Sequence, residues 1–353
     1  MAYGVAGVEL KAAFKKAAAW GTAVACGAGN GIMVLPTAIK KDMSVEVDDS
    51  VGTFFSKDGN LGTIKVEGTI PAYVRYDSLD VLLAMFMGVA GAPVQQGATI
   101  AYSYTYKWKA DTDGFFGTFA KYMKNYIEEH PSMKIAGITI KGEVGKPIQV
   151  IFDVISDNKI INSTTNTLAT FANVTYSEQA NRALYSQGIF RMNTQSGAAL
   201  ADGDKVYPAS FELTAKRKLK GEYTGGYKYT SGSNVQELID EPTNDGPPEI
   251  RLKLTFPRHT GTTYLAILGG DTRQKMDITF TGGLIASTYY RKFMLQFPHL
   301  QLMNDDPADE AGIIKEPLEF VVHGAVAAPT GMTGITDPFW ITGINQRTTD
   351  PLA

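Results

Sequence analysis

The chain carries four histidines, His130, His259, His299 and His323. No two lie within five residues of each other, so none forms the short-spaced pair of a zinc motif. His130 precedes Pro131, and His259 and His299 stand near prolines, so turn or edge positions are expected for them. The densest acidic pairs are Asp48-Asp49 and Asp305-Asp306. The stretch from Asn304 to Glu310 has a calcium-loop composition, but it lacks the Gly and terminal Glu spacing of an EF-hand. A solvated loop is the plainer reading. Glycosidase carboxylates can stand far apart in sequence, so spacing alone does not address them. No G-x-S-x-G elbow and no G-x-x-x-x-G-K-[ST] loop occurs. Gly27-Ala-Gly-Asn-Gly31 is glycine-rich, yet it follows no convincing strand and opens no helix.

Cys26 is the single cysteine, which excludes an internal disulfide framework and a multi-cysteine metal site. It has no local activator and reads as a small packed residue. The basic cluster Lys216-Arg-Lys-Leu-Lys220 would, in a strand, put Lys216, Lys218 and Lys220 on one face and Arg217 and Leu219 on the other. That row suits either an acidic partner or a solvated, edge-protecting face. No catalytic, cofactor-binding or metal-ligating residue is therefore assigned, and no cofactor is expected. A structural protein is expected rather than an enzyme.

The elements around these residues point the same way. The 353 residues amount to a little over two domains at roughly 150 residues each. Lys+Arg 33 against Asp+Glu 36 leaves a net charge of −3, which argues against nucleic-acid binding through a broadly basic surface. Gly 36, Tyr 17 and Phe 17 suit strands and turns. The apolar run near Val81–Val94 is too short to span a membrane and contains Gly88, Gly91 and Pro93. Lys11, Lys15 and Lys16 before Ala17–Ala25 and Cys26 imitate a lipoprotein signal. Glu9 interrupts that lead and Ala23 stands where a bulky aliphatic residue is expected, so an N-terminal arm with a Gly27–Gly31 hinge is the better reading.

A weak internal repeat emerges. Gly31–Pro36 matches Gly188–Asn193. Met43–Asp48 matches Ser210–Arg217. Thr63–Pro71 matches Glu249–Pro257. The apolar segments Leu79–Gly88 and Tyr264–Gly269 follow, and Lys146–Phe152 mirrors Glu316–Val322. The order is the same in both halves. Lys220–Pro248, rich in turn residues, reads as an insertion in the second copy. Period-2 alternation predicts strands at about 43–49, 63–71, 99–108, 134–143, 147–155, 187–193, 210–219, 249–257, 275–281, 291–303 and 316–323. A helix is expected over Ser78–Gly88, capped by Ser78. Phe119, Tyr122, Met123, Tyr126 and Ile127 have helical spacing, with a strand or hairpin left open. The expected fold is mainly β: two tandem antiparallel sandwich or barrel domains, each with a short flanking helix, an N-terminal arm and long loops. The expected boundaries are an arm at 1–30, domains at 31–180 and 181–345, and a tail at 346–353.

Three stretches carry a resemblance. Lys15-Lys-Ala-Ala-Ala-Trp-Gly-Thr-Ala23 is one. Met133-Lys-Ile-Ala-Gly-Ile-Thr-Ile-Lys-Gly-Glu143, followed by Gly145-Lys-Pro-Ile-Gln-Val150, is the second. Gly188-Ile-Phe-Arg191 leading into Tyr207-Pro-Ala-Ser-Phe-Glu-Leu213 is the third. Together they make the chain, over about residues 15–345, resemble the major tail tube proteins of long, non-contractile-tailed bacteriophages. The resemblance implies a β-sandwich or barrel with a flanking helix, stacked as rings around a DNA channel in the virion tail after synthesis in the host cytoplasm. It implies as partners further copies of the chain, tape-measure, tail-tip and terminator proteins, and genomic DNA passing without sequence-specific binding. No membrane partner is implied. The chain departs from common members in its length and its two related halves. Three chains could then give a pseudo-sixfold ring, with six chains as the alternative. The polar faces of strands at 43–49, 63–71, 210–219 and 249–257 are candidate lumen surfaces, for which a neutral or acidic lining is expected. The other classes are a capsid-decoration or tail-completion protein and a glycan-binding or glycan-cleaving β protein. The last would need an exposed aromatic platform, whereas Trp108 sits in an alternating strand and reads as core.

Overall fold

A computed structural model describes residues 10–47, 55, 59–161, 163–176, 181–231, 234–259, 261, 263–305, 308–310 and 312–353. The architecture is mainly β with short helices. The first half contains β1 (Lys11–Lys16), β2 (Ala38–Val47), β3 (Gly59–Tyr73), α1 (Asp80–Met87), β4 (Tyr102–Trp108), β5 (Gly117–Tyr122), β6 (Ile127–Glu143), β7 (Gln149–Ser156) and the single turn α2 (Leu168–Phe171). The second half contains β8 (Gly188–Thr194), β9 (Ser210–Lys216), β10 (Tyr223–Ser231), β11 (Asn234–Ile239), β12 (Glu249–Phe256), α3 (Thr263–Gly269), β13 (Gln274–Ala286), β14 (Tyr289–Asp305), β15 (Ile313–Val322) and β16 (Trp340–Asn345).

Hydrogen bonding gives the first half the order β1-β5-β6-β7-β3-β2. It gives the second half the order β8-β13-β14-β15-β12-β9. Every neighbour in both series is antiparallel. A two-residue pair ahead of each inner hairpin also recurs: Gly31–Ile32 on β1 and Lys205–Val206 on β8. α1 and α3 each follow the second strand from the same end of the series, β3 and β12. The halves join where β9 pairs with β6, from Ser210↔Glu143 to Lys216↔Gly137. The result is one antiparallel sheet of eight strands, β2-β3-β7-β6-β9-β12-β15-β14.

Alternation decides which face is core. Ile70, Phe152, Ile138, Leu213, Leu252 and Phe320 point inward and are fully buried, in one cluster continuous through both halves. Burying each such side chain stabilises by about 1.5–3 kcal/mol. β16 closes the core laterally, pairing with β14 on one edge and β4 on the other.

Several local features differ from the sequence expectation. α1 does start near Ser78, but Leu79 takes the N-cap position in a left-handed conformation (φ 70°) with no side-chain cap bond. Nearly the whole helix is buried, not one face. Residues 119–127 form a hairpin between β5 and β6, turning at Lys124 with φ 66°. β1, expected within an arm, pairs along its length with β5 and buries Ala12, Ala13 and Phe14. β1, not Gly31–Pro36, therefore stands where β8 stands in the other half. Lys220–Pro248 is largely the β10–β11 hairpin, laid on β3 through a parallel bridge, Glu237↔Thr63.

Candidate functional site: an open sheet face and its edges

The residues with chemical potential are placed singly or in closed structural groups. His130 is fully buried inside β6, not at a turn; Pro131 beside it sits at the bulge where β5 and β6 slip register. Its ring lies 3.5 Å from Glu128, which also meets Lys159 at 3.0 Å. Burial by itself would raise the Glu128 pKa, but hydrogen bonds from His130 and Lys159 outweigh it and hold the value at about 2. Burial pushes the His130 pKa down. His299 and His323 meet edge to face at 5.4 Å between ring centroids, and His259 lies 3.3 Å from Glu316. Among the described residues no three His, Cys, Asp or Glu side chains form a metal-binding group. Asp48, Asp49 and Asp306 lie outside the described residues. Burial lifts the Cys26 thiol to about 12, which leaves it protonated and inert at neutral pH. Trp20 and Trp108 are buried, and Trp340 is covered by Lys107, so these rings offer no sugar platform.

Arg217 behaves as its strand position requires. It points away from the exposed Lys216 and Lys218, into the core. Its guanidinium donates to the carbonyls of Phe86 (3.0 Å), Met87 (3.4 Å) and Ala110 (3.3 Å) and lies 3.9 Å over the Trp108 ring. A residue of the second half thus satisfies the last carbonyls of α1, which a helix leaves unpaired. At the other end of α1, buried Asp80 accepts from Tyr106 (2.7 Å) and Asn345 (3.2 Å), with Arg347 at 3.6 Å. Burial raises its pKa. Sequence spacing could not have found these contacts, because each joins segments far apart in the chain.

Three of the four strands expected as lumen candidates come together; of the fourth, 43–49, Met43–Val47 pairs with β3 beyond the end of β7, and residues 48 and 49 lie outside the described residues. β2, β3, β9 and β12 lie in the eight-stranded sheet with their polar residues on one open face. Cross-strand register brings opposite charges face to face on it. Lys40 stands opposite Glu67, and Asp42 opposite Lys65. One row runs Gln149, Lys141, Glu212, Lys253, Glu319 across five strands. Lys216 stands opposite Glu249. Arg251 reaches Glu319 at 2.9 Å and Glu249 at 2.8 Å. Such pairs each contribute roughly 0.2–1 kcal/mol and fix strand register. The face is polar and charge-compensated, with no field that would hold a polyanion.

The edges of this sheet are its other feature. At one end, β2 pairs with β3 alone among the described strands. At the other, β14 has β13 along Tyr289–Leu300, and beyond Leu300 its pairing is with β15 on the opposite edge. The corresponding part of β6, Gly137–Glu143, is the segment occupied by β9. Among the described residues, one sheet therefore ends in a free inner-hairpin strand and in a free stretch of the kind that accepts such a strand inside the chain.

A family model described as phage tail tube protein matches residues 7–322. No curated protein matches the chain. With the match spanning most of the sequence, the chain belongs to the phage tail tube protein family, and its role is that of a structural tail component, not an enzyme.

Proposed function

We propose that the chain is two tandem tail-tube modules, about residues 31–180 completed by β1 from the preceding arm and about residues 181–345, and that three chains close into a ring of pseudo-sixfold symmetry. The observation that carries this reading is the strand order, which recurs in the two halves with a helix at the same place in each. The β6–β9 join inside one chain is then the template for the contact between chains: β2 of one chain adds to β14 of the next. Such a heterologous contact closes into a ring when its rotation is right. Edge pairing of this kind also removes exposed edges that would otherwise aggregate.

Eight strands closed alone would fill their interior with side chains, whereas barrels of 16–18 strands already leave an aqueous channel. Three chains would supply about 24 strands, with a circumference near 115 Å at ~4.8 Å per strand. The compensated polar face would line that channel and let genomic DNA pass without sequence-specific binding. Stacked rings form the tail tube of the virion, with tape-measure, tail-tip and terminator proteins as the further partners the family membership implies. The protein would be made in the host cytoplasm and act in the tail.

Negative-stain microscopy with solution mass on the same sample tests this. Rings or tubes with a central hole and a ring mass of three chains are expected. Rings of six chains would overturn the tandem-module reading, and small closed oligomers that coat capsids without elongating would overturn the tube reading.

A further inference from the structure

Two histidines that the sequence keeps apart meet on the polar side of the sheet. His299 lies on β14, across from His323, the residue that follows β15; the His323 amide donates to the His299 carbonyl at 3.0 Å. Leu300 and Val322 beside them are buried, so by alternation both imidazoles stand on the other face, the one that carries Glu319. Their rings lie 5.4 Å apart between centroids, at 67°. Each ring has one nitrogen tied to the protein. His323 Nε2 is 3.1 Å from Gln301 Oε1, and Gln301 Nε2 donates to Asp271 Oδ1 at 3.2 Å. That chain makes the Gln301 oxygen an acceptor, so His323 carries its proton on Nε2 and has its lone pair on Nδ1. The Gly324 backbone hydrogen-bonds to the His299 ring in the sense that favours a ring N–H. Burial, with His323 and Arg273 nearby, pushes the His299 pKa down, which leaves the ring neutral. Arg273 itself is paired with Asp271.

We propose that His299 and His323 form a two-nitrogen site for a divalent transition metal ion of the Zn²⁺ and Cu²⁺ class, with water in the remaining positions. Neutral imidazole suits these ions. A metal-ligating histidine gives its other ring N–H to an oxygen, which fixes the tautomer and the ring orientation, and both rings are held in that way. The spacing also fits. An imidazole bound at ~2.0–2.1 Å puts its centroid about 3.2 Å from the ion, so two rings at a tetrahedral angle stand about 5.2 Å apart. Two nitrogens are fewer than the four ligands of a closed structural zinc site, so the site stays open to solvent. It belongs to one half of the chain alone. Lys146–Phe152 matches Glu316–Val322, so the pair corresponding to His299 and His323 is Gly137↔Asp153, which has no imidazole. Each chain therefore has one such site, and the site needs no ring in order to form.

The test titrates the full, untagged chain at neutral pH with Zn²⁺ by calorimetry and with Cu²⁺ by electron paramagnetic resonance. One ion per chain is expected, with two nitrogens coupled to the copper. Gln301→Ala keeps both ligands and loses the anchor of the His323 proton, and it should weaken binding about tenfold. His323→Ala removes a ligand and should weaken it further; the position is exposed, so the fold is preserved. His259→Ala, which touches neither ring, should bind as the unaltered chain does. Absence of saturable binding overturns the proposal, as does a copper spectrum with a single nitrogen. Unchanged affinity in the His323→Ala or Gln301→Ala chain overturns it too, and loss of binding in His259→Ala would place the metal elsewhere and do the same.

Discussion

The two helices occupy the same place in the strand order and differ in almost everything else. α1 is buried from Asp80 to Met87 except for Val81, stacks Phe86 edge to face on Trp108, and meets a residue of the second half at each end, Arg217 at its last carbonyls and Asn345 at the Asp80 carboxyl. α3 buries none of its residues, and Leu265 is 53% exposed. The difference follows from what lies beyond each. β9 continues into Arg217, which closes the C-terminal end of α1, and β16 lies against its neighbour β4. On the two-module proposal, no further module follows to cover α3. In a ring, the next chain's first half would take that place. The comparison teaches that folding alone encloses α1, whereas α3 rests on the core only through the partly buried Tyr264, Ile267 and Leu268, which on the ring proposal leaves its outer face for assembly.

Five changes break or sharpen this contrast, from the largest effect down. Phe86→Ala should cost about 3–5 kcal/mol in urea unfolding of the isolated chain, because it empties a fully buried site. Leu265→Ala in α3 should leave that unfolding almost unchanged and weaken ring formation instead. If Leu265→Ala destabilises the chain as strongly as Phe86→Ala, the contrast fails.

A second test uses the first half's buried acid. Asp157 lies at the end of β7, and burial lifts its pKa from 3.8 to about 7, against hydrogen bonds from the Ser132 amide and the Ser156 hydroxyl. A folded pKa above the unfolded one means that folding takes up a proton. The contribution is full below about pH 4 and is lost as pH rises through about 7. Asp157→Asn should flatten the fall in stability over that window, a change of a few kcal/mol at most. A slope that persists in the variant would assign it to another group.

Arg217→Ala ranks third, at about 1–3 kcal/mol, since it removes the guanidinium that donates to the Phe86 carbonyl, while the Met87 carbonyl keeps the Lys109 amide. Hydrogen exchange should locate the loss at α1 and leave α3 unaffected. Last, Glu212→Gln on the open face should shift stability by less than about 0.5 kcal/mol. A larger loss would show that the charge row carries more than register.

The sequence made the inner sheet legible and left the outer parts obscure. Strands such as β3, β7, β9 and β12 alternate because one face meets core and the other stays polar, so period 2 shows directly. β1 hides because Ala12, Ala13 and Phe14 are all buried, and a short alanine-rich run with Phe14 as its one strand-favouring residue shows no alternation. β5 hides in the same way, with Gly117–Ala120 buried on both faces, and its aromatic spacing mimics a helix. The matched proline ends of Thr63–Pro71 and Glu249–Pro257 do identify the same strand of each half. Gly31–Pro36 and Gly188–Asn193 share a pattern without sharing a place. The compensated face was legible only as alternating polar residues, since which lysine meets which acid depends on register between distant strands.

The charge row across the open face bears on how such a chain reaches its fold at all. Two similar inner hairpins compete for similar edges, so β2 could in principle settle on β6 in place of β9. Only β9 brings an acid, Glu212, to stand between Lys141 and Lys253. The outward residues at the start of β2, Ala38 and Lys40, would leave Lys141 uncompensated or facing another lysine. The row therefore tilts folding toward the observed topology by about 0.2–1 kcal/mol per pair, a bias added to the hydrophobic pattern that both pairings satisfy.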